Sequence, residues 1–264
     1  MLRAKYIYGL IGKGIDYSFS KYYFNQKFKK EGLIHSLYMN FDCENLAQVL
    51  ETLKQKKLKG VNVTIPYKEK IIPHLDKISK EANEIGAINT ISIDEKGKLL
   101  GYNTDCFGFE KSLFENVNKK IKNALVLGTG GASKAVRYVL KENLIEYSTV
   151  SRNRDKGDFI YNQLDRNIGN YELIINTTPV GTYPNTKDCP NINYDFITKN
   201  HILFDLTYNP KKTKFLINGK NKGAKIINGY NMLIYQAEKS WSIWNEINWN
   251  FFLYFRSITM VFYN

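Results

Sequence analysis

The sequence predicts an α/β fold built in two parts, and three observations predict it. The first is the segment ALVLGTGGASKA at 124–135, where Leu125, Val126 and Leu127 run without polar alternation into a glycine turn and then a helical pattern. An unbroken aliphatic run suits a strand covered on both faces by helices, as in a parallel sheet. The second is the order βαβα in the stretches that precede it. The third is size and composition: 264 residues, 43% hydrophobic and 14% aromatic, are enough for one large domain or two ordinary ones.

The first strand is KYIYGLI at 5–11, which leads into the glycine-rich loop GKGIDYSFS. Ser18 and Ser20 open the next helix, which continues through Tyr22, Tyr23, Phe24 and Phe28. A serine at a helix start caps it. Two of them beside free helix N–H groups suit a carboxylate equally well, and both readings stay open. A second strand is expected at 35–41, and an amphipathic helix at 45–58 with Leu46, Val49, Leu50 and Leu53 on one side. In GVNVTIPYKEK, 60–70, Val61, Val63 and Ile65 alternate with Asn62 and Thr64, so one strand face is apolar and the other polar. Pro66 ends that strand. Lys68 then emerges in a turn supported by a rigid element, a usual place for a reacting side chain. GAINT at 86–90 and GYNTD at 101–105 place Asn89, Thr90, Asn103, Thr104 and Asp105 at the ends of apolar segments that read as strands paired around 94–97. Each of these polar residues, taken singly, also suits an ordinary turn cap.

The glycine turn is the most informative local feature. Gly128 lets the chain turn tightly, and Gly130, lacking a Cβ, allows backbone N–H groups to approach a pyrophosphate at the start of the following helix. Ser133 stands where a third glycine is often found, and Ala135, Val136, Val139, Leu140 and Leu144 follow as an apolar stripe. A tight turn without a ligand is the plainer alternative. After the next strand, EYSTVSRNR at 146–154 offers Ser151, Arg152, Asn153 and Arg154 where an NAD site would place Asp or Glu against the ribose 2′-hydroxyl. Cations and a hydroxyl suit the 2′-phosphate of NADP; a solvated basic turn is the other reading.

The formal charge of +13 raises the question of nucleic acid, but the lysines form no single dominant block, and no nucleic-acid partner is expected. A positive surface does attract a carboxylate substrate and a phosphorylated cofactor. Cys43, Cys106 and Cys189 are odd in number, lack metal-ligand spacing and read as reduced thiols. His35, His74 and His201 stand far apart, so no metal site is expected. The chain enters a strand at once without a signal-peptide pattern, which points to the cytoplasm. The tail WNFFLYFRSITMVFYN, 249–264, is short for a spanning helix and contains Arg256. Core-covering, a dimer contact or an unselected extension are the readings for it, not a membrane anchor.

NVTIPYK, GAINT, GYNTD and GTGGAS, in this order and at these separations, resemble the shikimate dehydrogenase family over nearly the whole chain. The resemblance implies an N-terminal α/β substrate domain at 1–103, a Rossmann-like doubly wound NADP-binding domain at 104–230, and a C-terminal helix at 231–264 that returns to the substrate domain. It implies NADPH-dependent reduction of 3-dehydroshikimate to shikimate in the shikimate pathway of aromatic amino-acid biosynthesis. Lys68 and Asp105 would be the catalytic pair. Ser18 and Ser20 would hold the substrate carboxylate, Thr64, Asn89 and Gln236 its hydroxyls, and Tyr208 would face it. Gly128, Gly130, Gly131, Ala132 and Ser133 would hold the pyrophosphate, Ser151, Arg152 and Asn153 the 2′-phosphate, and Asn176 and Thr177 would lie on the nicotinamide side. The family's usual His-Ser-x-Ser-Pro is here Tyr17, Ser18, Phe19, Ser20 and Lys21, and Phe24 replaces a frequent second histidine. The partner expected is a small molecule, and the chain a monomer or homodimer. The rival readings are a quinate/shikimate dehydrogenase using NAD and a non-catalytic dinucleotide-binding protein. Elementary chemistry agrees with the pair: reducing a ketone by hydride leaves an alkoxide that needs a proton, which a Lys beside an Asp supplies.

Overall fold

Strands form where the aliphatic and β-branched runs lie, and they assemble into two six-stranded sheets. The structure is a computed structural model describing residues 4–16, 18–164 and 167–246. Tyr17 and the tail at 249–264, both singled out in the sequence, lie outside the described residues. The first sheet contains β1 (Tyr6–Gly12), β2 (Ser36–Asp42), β3 (Leu58–Val63), β4 (Lys77–Ile78), β5 (Thr90–Ile93) and β6 (Leu99–Tyr102), in the order β2-β1-β3-β5-β6-β4. Its first three strands are parallel, and β5 and β6 form the antiparallel pair expected around 94–97. Helices α1 (Phe19–Lys30), α2 (Leu46–Leu53) and α3 (Lys80–Ile85) connect them.

Helix α4 (Asp105–Asn116) leads to the second sheet, which is parallel throughout. Its strands are β7 (Asn123–Leu127), β8 (Glu146–Ser151), β9 (Phe159–Ile160), β10 (Leu173–Asn176), β11 (Ile202–Asp205) and β12 (Lys225–Asn228), in the order β12-β11-β10-β7-β8-β9. Helices α5 (Gly131–Glu142) and α6 (Lys214–Asn221) follow β7 and β11. The chain winds outward from β7 in one direction and from β10 in the other. That reversal opens a crevice at the carboxyl ends of these two strands, where a doubly wound sheet binds its ligand.

Helix α7 (Tyr230–Trp244) leaves the second sheet and packs back on the first. The Trp244 indole donates to the Ile91 carbonyl at 3.0 Å, and a Cβ on Gly60 would stand 2.1 Å from the same ring, so β3 can accept this helix only with glycine there. Trp241 and Trp244 join Tyr8, Phe24, Phe28 and Tyr38 in an aromatic core. Phe24 stacks on Tyr38 with ring centroids 4.5 Å apart. The departure from the family at position 24 is thus taken up by packing.

Three expectations are corrected. Helix α2 ends at Leu53, and Leu58 begins β3, because 54–57 (KQKK) offers no apolar side chain to extend the buried face. Strand β3 ends at Val63; Ile65 is exposed and Tyr67 takes the interior place, its hydroxyl bonded to the Cys43 carbonyl. Leu144 falls beyond α5 at φ 56° and points to solvent, while Ile145 is buried instead. The polar face of β3 is covered by α7. Asn62 is buried there, accepting from the Tyr38 hydroxyl at 2.9 Å and donating toward the Asn89 carbonyl, Thr90 Oγ1 and Ser240 Oγ. Asn62→Ala would strip partners from several buried polar groups, and a loss of about 2–4 kcal/mol in unfolding free energy is expected from denaturant titration.

Candidate active site

Lys68 and Asp105 come from different elements and meet across a cleft. Tyr67 anchors the turn that carries Lys68, and the Lys68 carbonyl accepts from the Ile88 amide at 2.7 Å, tying this turn to GAINT. Asp105 is the first residue of α4, where the helix dipole favours a carboxylate. Asn103 Oδ1 accepts from the Asp105 and Cys106 amides at 3.0 and 3.4 Å and so secures that helix start. Lys68 Nζ lies 2.6 Å from Asp105 Oδ2, with both side chains largely covered. Asp105 Oδ1 accepts from Asn89 Nδ2 at 2.8 Å, and Asn89 Oδ1 accepts from the Thr104 amide at 2.7 Å. Both carboxylate oxygens are therefore engaged, and Lys68 is held in one place.

All eight residues expected for catalysis and substrate binding, Ser18, Ser20, Thr64, Lys68, Asn89, Asp105, Tyr208 and Gln236, line one cavity of about 300 Å³. Ser18 is also the N-cap of α1, its hydroxyl accepting from the Ser20 amide at 3.3 Å. The capping and the cavity-lining readings are thus both realised in one side chain. The cavity includes Leu206, Met232 and Leu233, which sequence reasoning missed. Met232 and Leu233 precede Gln236 by four and three positions on α7, so helical spacing from Gln236 was the available signal.

The glycine turn borders the same cavity through Ala132. Gly128 has φ +107°, and a Cβ on it would stand 2.7 Å from Thr177 Oγ1, whereas one on Gly130 would meet nothing within 4 Å. The open side of Gly130 and the N–H groups of Gly131, Ala132 and Ser133, which helix geometry leaves without intrahelical acceptors, form a cradle that fits a pyrophosphate. A Cβ on Gly131 would lie 3.4 Å from Lys68 Cδ, so the turn touches the stem of the lysine. Beyond β8, Arg152, Asn153 and Arg154 are exposed, and Ser151 Oγ accepts from the Asn153 amide at 3.1 Å. This basic rim fits a 2′-phosphate.

Two side chains are not where direct cofactor contact requires them. Ser133 is fully buried, and its hydroxyl has no hydrogen-bond partner. Close helix-to-strand packing encloses it, leaving the backbone N–H as the group available to a ligand. Asn176 is also fully buried, bonded to Asp205 and to Thr178. It shapes the turn after β10 from inside. Thr177 Oγ1 donates to the Leu127 carbonyl at 2.7 Å, tying the ends of β10 and β7 together. Among the described residues no group of His, Cys, Asp and Glu is placed to hold a metal ion, and no helix is long and apolar enough to cross a membrane.

A parallel sheet with a glycine turn at its reversal point, facing a Lys–Asp pair carried by the turn after β3 and the start of α4, defines a two-domain dinucleotide-dependent oxidoreductase. The family model described as shikimate dehydrogenase substrate binding domain matches residues 10–91. A shikimate dehydrogenase (NADP(+)) of Methanococcus maripaludis is 42% identical over 95% of this chain and 95% of its own length. One of Clostridium botulinum is 41% identical over 90% of this chain and 96% of its own. The solved shikimate 5-dehydrogenase of Thermus thermophilus, in complex with NADP(H) and shikimate, superposes with a TM-score of 0.81 at 30% identity, covering 92% of this chain and 94% of that one. The chain belongs to the shikimate dehydrogenase family.

One buried carboxyl lies behind the cleft. Burial pushes Asp205 up to about 6, and hydrogen bonds from Thr213, Thr207 and Asn176 limit the rise. The unfolded chain gives up this proton near pH 4, before the folded chain does, so rising pH removes stability between about pH 4 and 6 and changes little above. The full difference is about 3 kcal/mol. Asp205→Asn lacks this titration. Its unfolding free energy, measured by denaturant titration from pH 4 to 8, should therefore gain on that of the unsubstituted chain up to about pH 6 and then run parallel. A difference that stays constant with pH would show that Asp205 titrates alike in both states.

Proposed function

We propose that this chain catalyses the reversible reduction of 3-dehydroshikimate to shikimate with NADPH, in the shikimate pathway of aromatic amino-acid biosynthesis. The observation that carries the reading is the single cavity into which Lys68, Asp105 and the six expected substrate residues project, bordered by the first turn of α5. Bound NADPH supplies a hydride to the carbonyl carbon. Lys68 Nζ donates the proton to the carbonyl oxygen, and its positive charge stabilises the developing alkoxide. Asp105 Oδ2 orients the ammonium, and Asn89, bonded to Oδ1, keeps the carboxylate from rotating away. Ser18 and Ser20 at the start of α1 bind the substrate carboxylate; Thr64, Asn89, Tyr208 and Gln236 bind its remaining polar groups. Leu206, Met232 and Leu233 form an apolar wall that excludes water from the reacting atoms.

In this reading residues 1–103 together with α7 form the substrate domain, and 104–230 the NADP domain. The basic rim at Arg152 and Arg154 supports NADP over NAD. Free Cys43, Cys106 and Cys189 support a cytoplasmic setting, and the chain acts as a monomer or homodimer.

Following NADPH absorbance with 3-dehydroshikimate tests the activity directly, and its absence from the folded chain would overturn the reading. Lys68→Met keeps much of the apolar stem but can neither donate a proton nor carry charge. Its kcat should fall by about 100- to 10,000-fold with NADPH affinity retained, and Asp105→Asn should be similarly impaired. If the pair acts as one unit, the double variant is far less damaged than the product of the single losses. Near-normal kcat in Lys68→Met would remove Lys68 from the chemistry. Arg152→Ala should lower the preference for NADPH over NADH roughly 10- to 100-fold, with NADH kinetics nearly unchanged. Equal losses with both cofactors would take Arg152 out of the phosphate site.

A further inference from the structure

Asp205 ends β11 fully buried, with donors from three places converging on its carboxylate. Oδ1 accepts from Asn176 Nδ2 at 3.0 Å, at the end of β10, and from the Thr207 amide at 3.0 Å. Oδ2 accepts from Thr213 Oγ1 at 2.5 Å, the N-cap residue of α6. Each donor leads on to a wall of the cleft. Asn176 Oδ1 accepts from the amide and hydroxyl of Thr178 at 3.1 and 2.6 Å, which sets the turn that lies against Gly128. Thr207 contacts Thr182 through the two hydroxyls at 2.9 Å, and its carbonyl accepts from the Gly229 amide at 3.2 Å, at the start of α7. Leu206 and Tyr208, on either side of Thr207, line the substrate cavity.

We propose that Asp205 is a positioning residue whose carboxylate fixes the turn after β11, so that Leu206 and Tyr208 form the cavity wall, and locks that turn to the one after β10 beside the glycine turn. The inference rests on the reading of the cavity as the dehydroshikimate site. Asp205 touches neither substrate nor cofactor, being enclosed on all sides. The arrangement needs oxygen acceptors in a fixed geometry, because an apolar side chain would leave three buried donors unpaired. Asparagine meets most of that need. Its carbonyl can take the two N–H donors, and its amide can donate to Thr213 Oγ1.

Steady-state kinetics with 3-dehydroshikimate and NADPH on the full chain test this, comparing the unsubstituted enzyme with Asp205→Leu, Asp205→Asn and Thr213→Val. Asp205→Leu should raise the KM for dehydroshikimate by on the order of 10-fold or more, and the KM for NADPH by less. Asp205→Asn should restore both to within about 3-fold of the unsubstituted values. Thr213→Val removes the donor to Asp205 Oδ2 and the side-chain cap of α6 but leaves the Asn176 link to Oδ1, so it should raise the dehydroshikimate KM several-fold and leave that for NADPH unchanged. A folded Asp205→Leu with unaltered KM values, or with a lowered melting temperature as its only change, would overturn the proposal. So would an Asp205→Asn no better than the leucine variant. If Asp205→Leu does not fold, Thr213→Val decides, and an unchanged dehydroshikimate KM there counts against it. Failure of the unsubstituted enzyme to reduce dehydroshikimate would instead strike the functional reading itself, and the inference with it.

Discussion

The pairing of Lys68 with Asp105 is the constraint on which the rest of the structure depends. Both side chains are largely withdrawn from water where they line the cavity, and each compensates the charge of the other. The fold meets this condition by bringing the turn after β3 against the N-terminus of α4. Asn89 completes the carboxylate's hydrogen bonds. Beneath them a buried polar layer continues through Thr90, Thr104 and Ser240, with mutual contacts of 2.8–3.2 Å. Such a layer stabilises only when its members are satisfied, which is why β3 presents asparagine to α7 where a half-exposed strand would face solvent.

The same pair links the two sheets. Gly131 lies against the Lys68 stem, so the turn that fits a pyrophosphate and the lysine that serves the carbonyl are adjacent by construction. Lys134, one turn along α5, reaches back to Glu69 at 2.6 Å and to the Gly86 carbonyl at 3.2 Å. A partly exposed ion pair adds little stability. Its position is the more consequential property, because it spans the cleft directly beside the Lys68 turn.

The departure from the family pattern at Phe24 is absorbed by packing. Phe24 belongs to the aromatic core beneath the helix. Phe19, between the two serines, has its ring centroid 5.9 Å from those of both Tyr208 and Tyr230, so the segment that presents Ser18 and Ser20 rests on aromatic rings from the turn after β11 and the start of α7. A serine pair without its usual histidine neighbour therefore still has a defined orientation.

The sequence by itself determined the kinds of element, their order, the glycine turn and the antiparallel pair around 94–97, because periodicity and the backbone preferences of glycine are local properties. Through the ordered motifs it also named the eight side chains that share the cavity. What only the tertiary structure decided is which of these groups are enclosed and by what. Ile65 and Leu144 fit an apolar pattern yet face solvent, since Tyr67 and Ile145 occupy the interior positions beside them. Asn62 sits on the polar face of its strand and is buried because Ser240, 178 positions away, covers it. Asn176 lies in a motif suggestive of the nicotinamide side but is turned inward by Asp205. Burial and hydrogen-bond partnership are set by residues distant in the chain, and they exist only once α7 has packed across the first sheet and β11 beside β10.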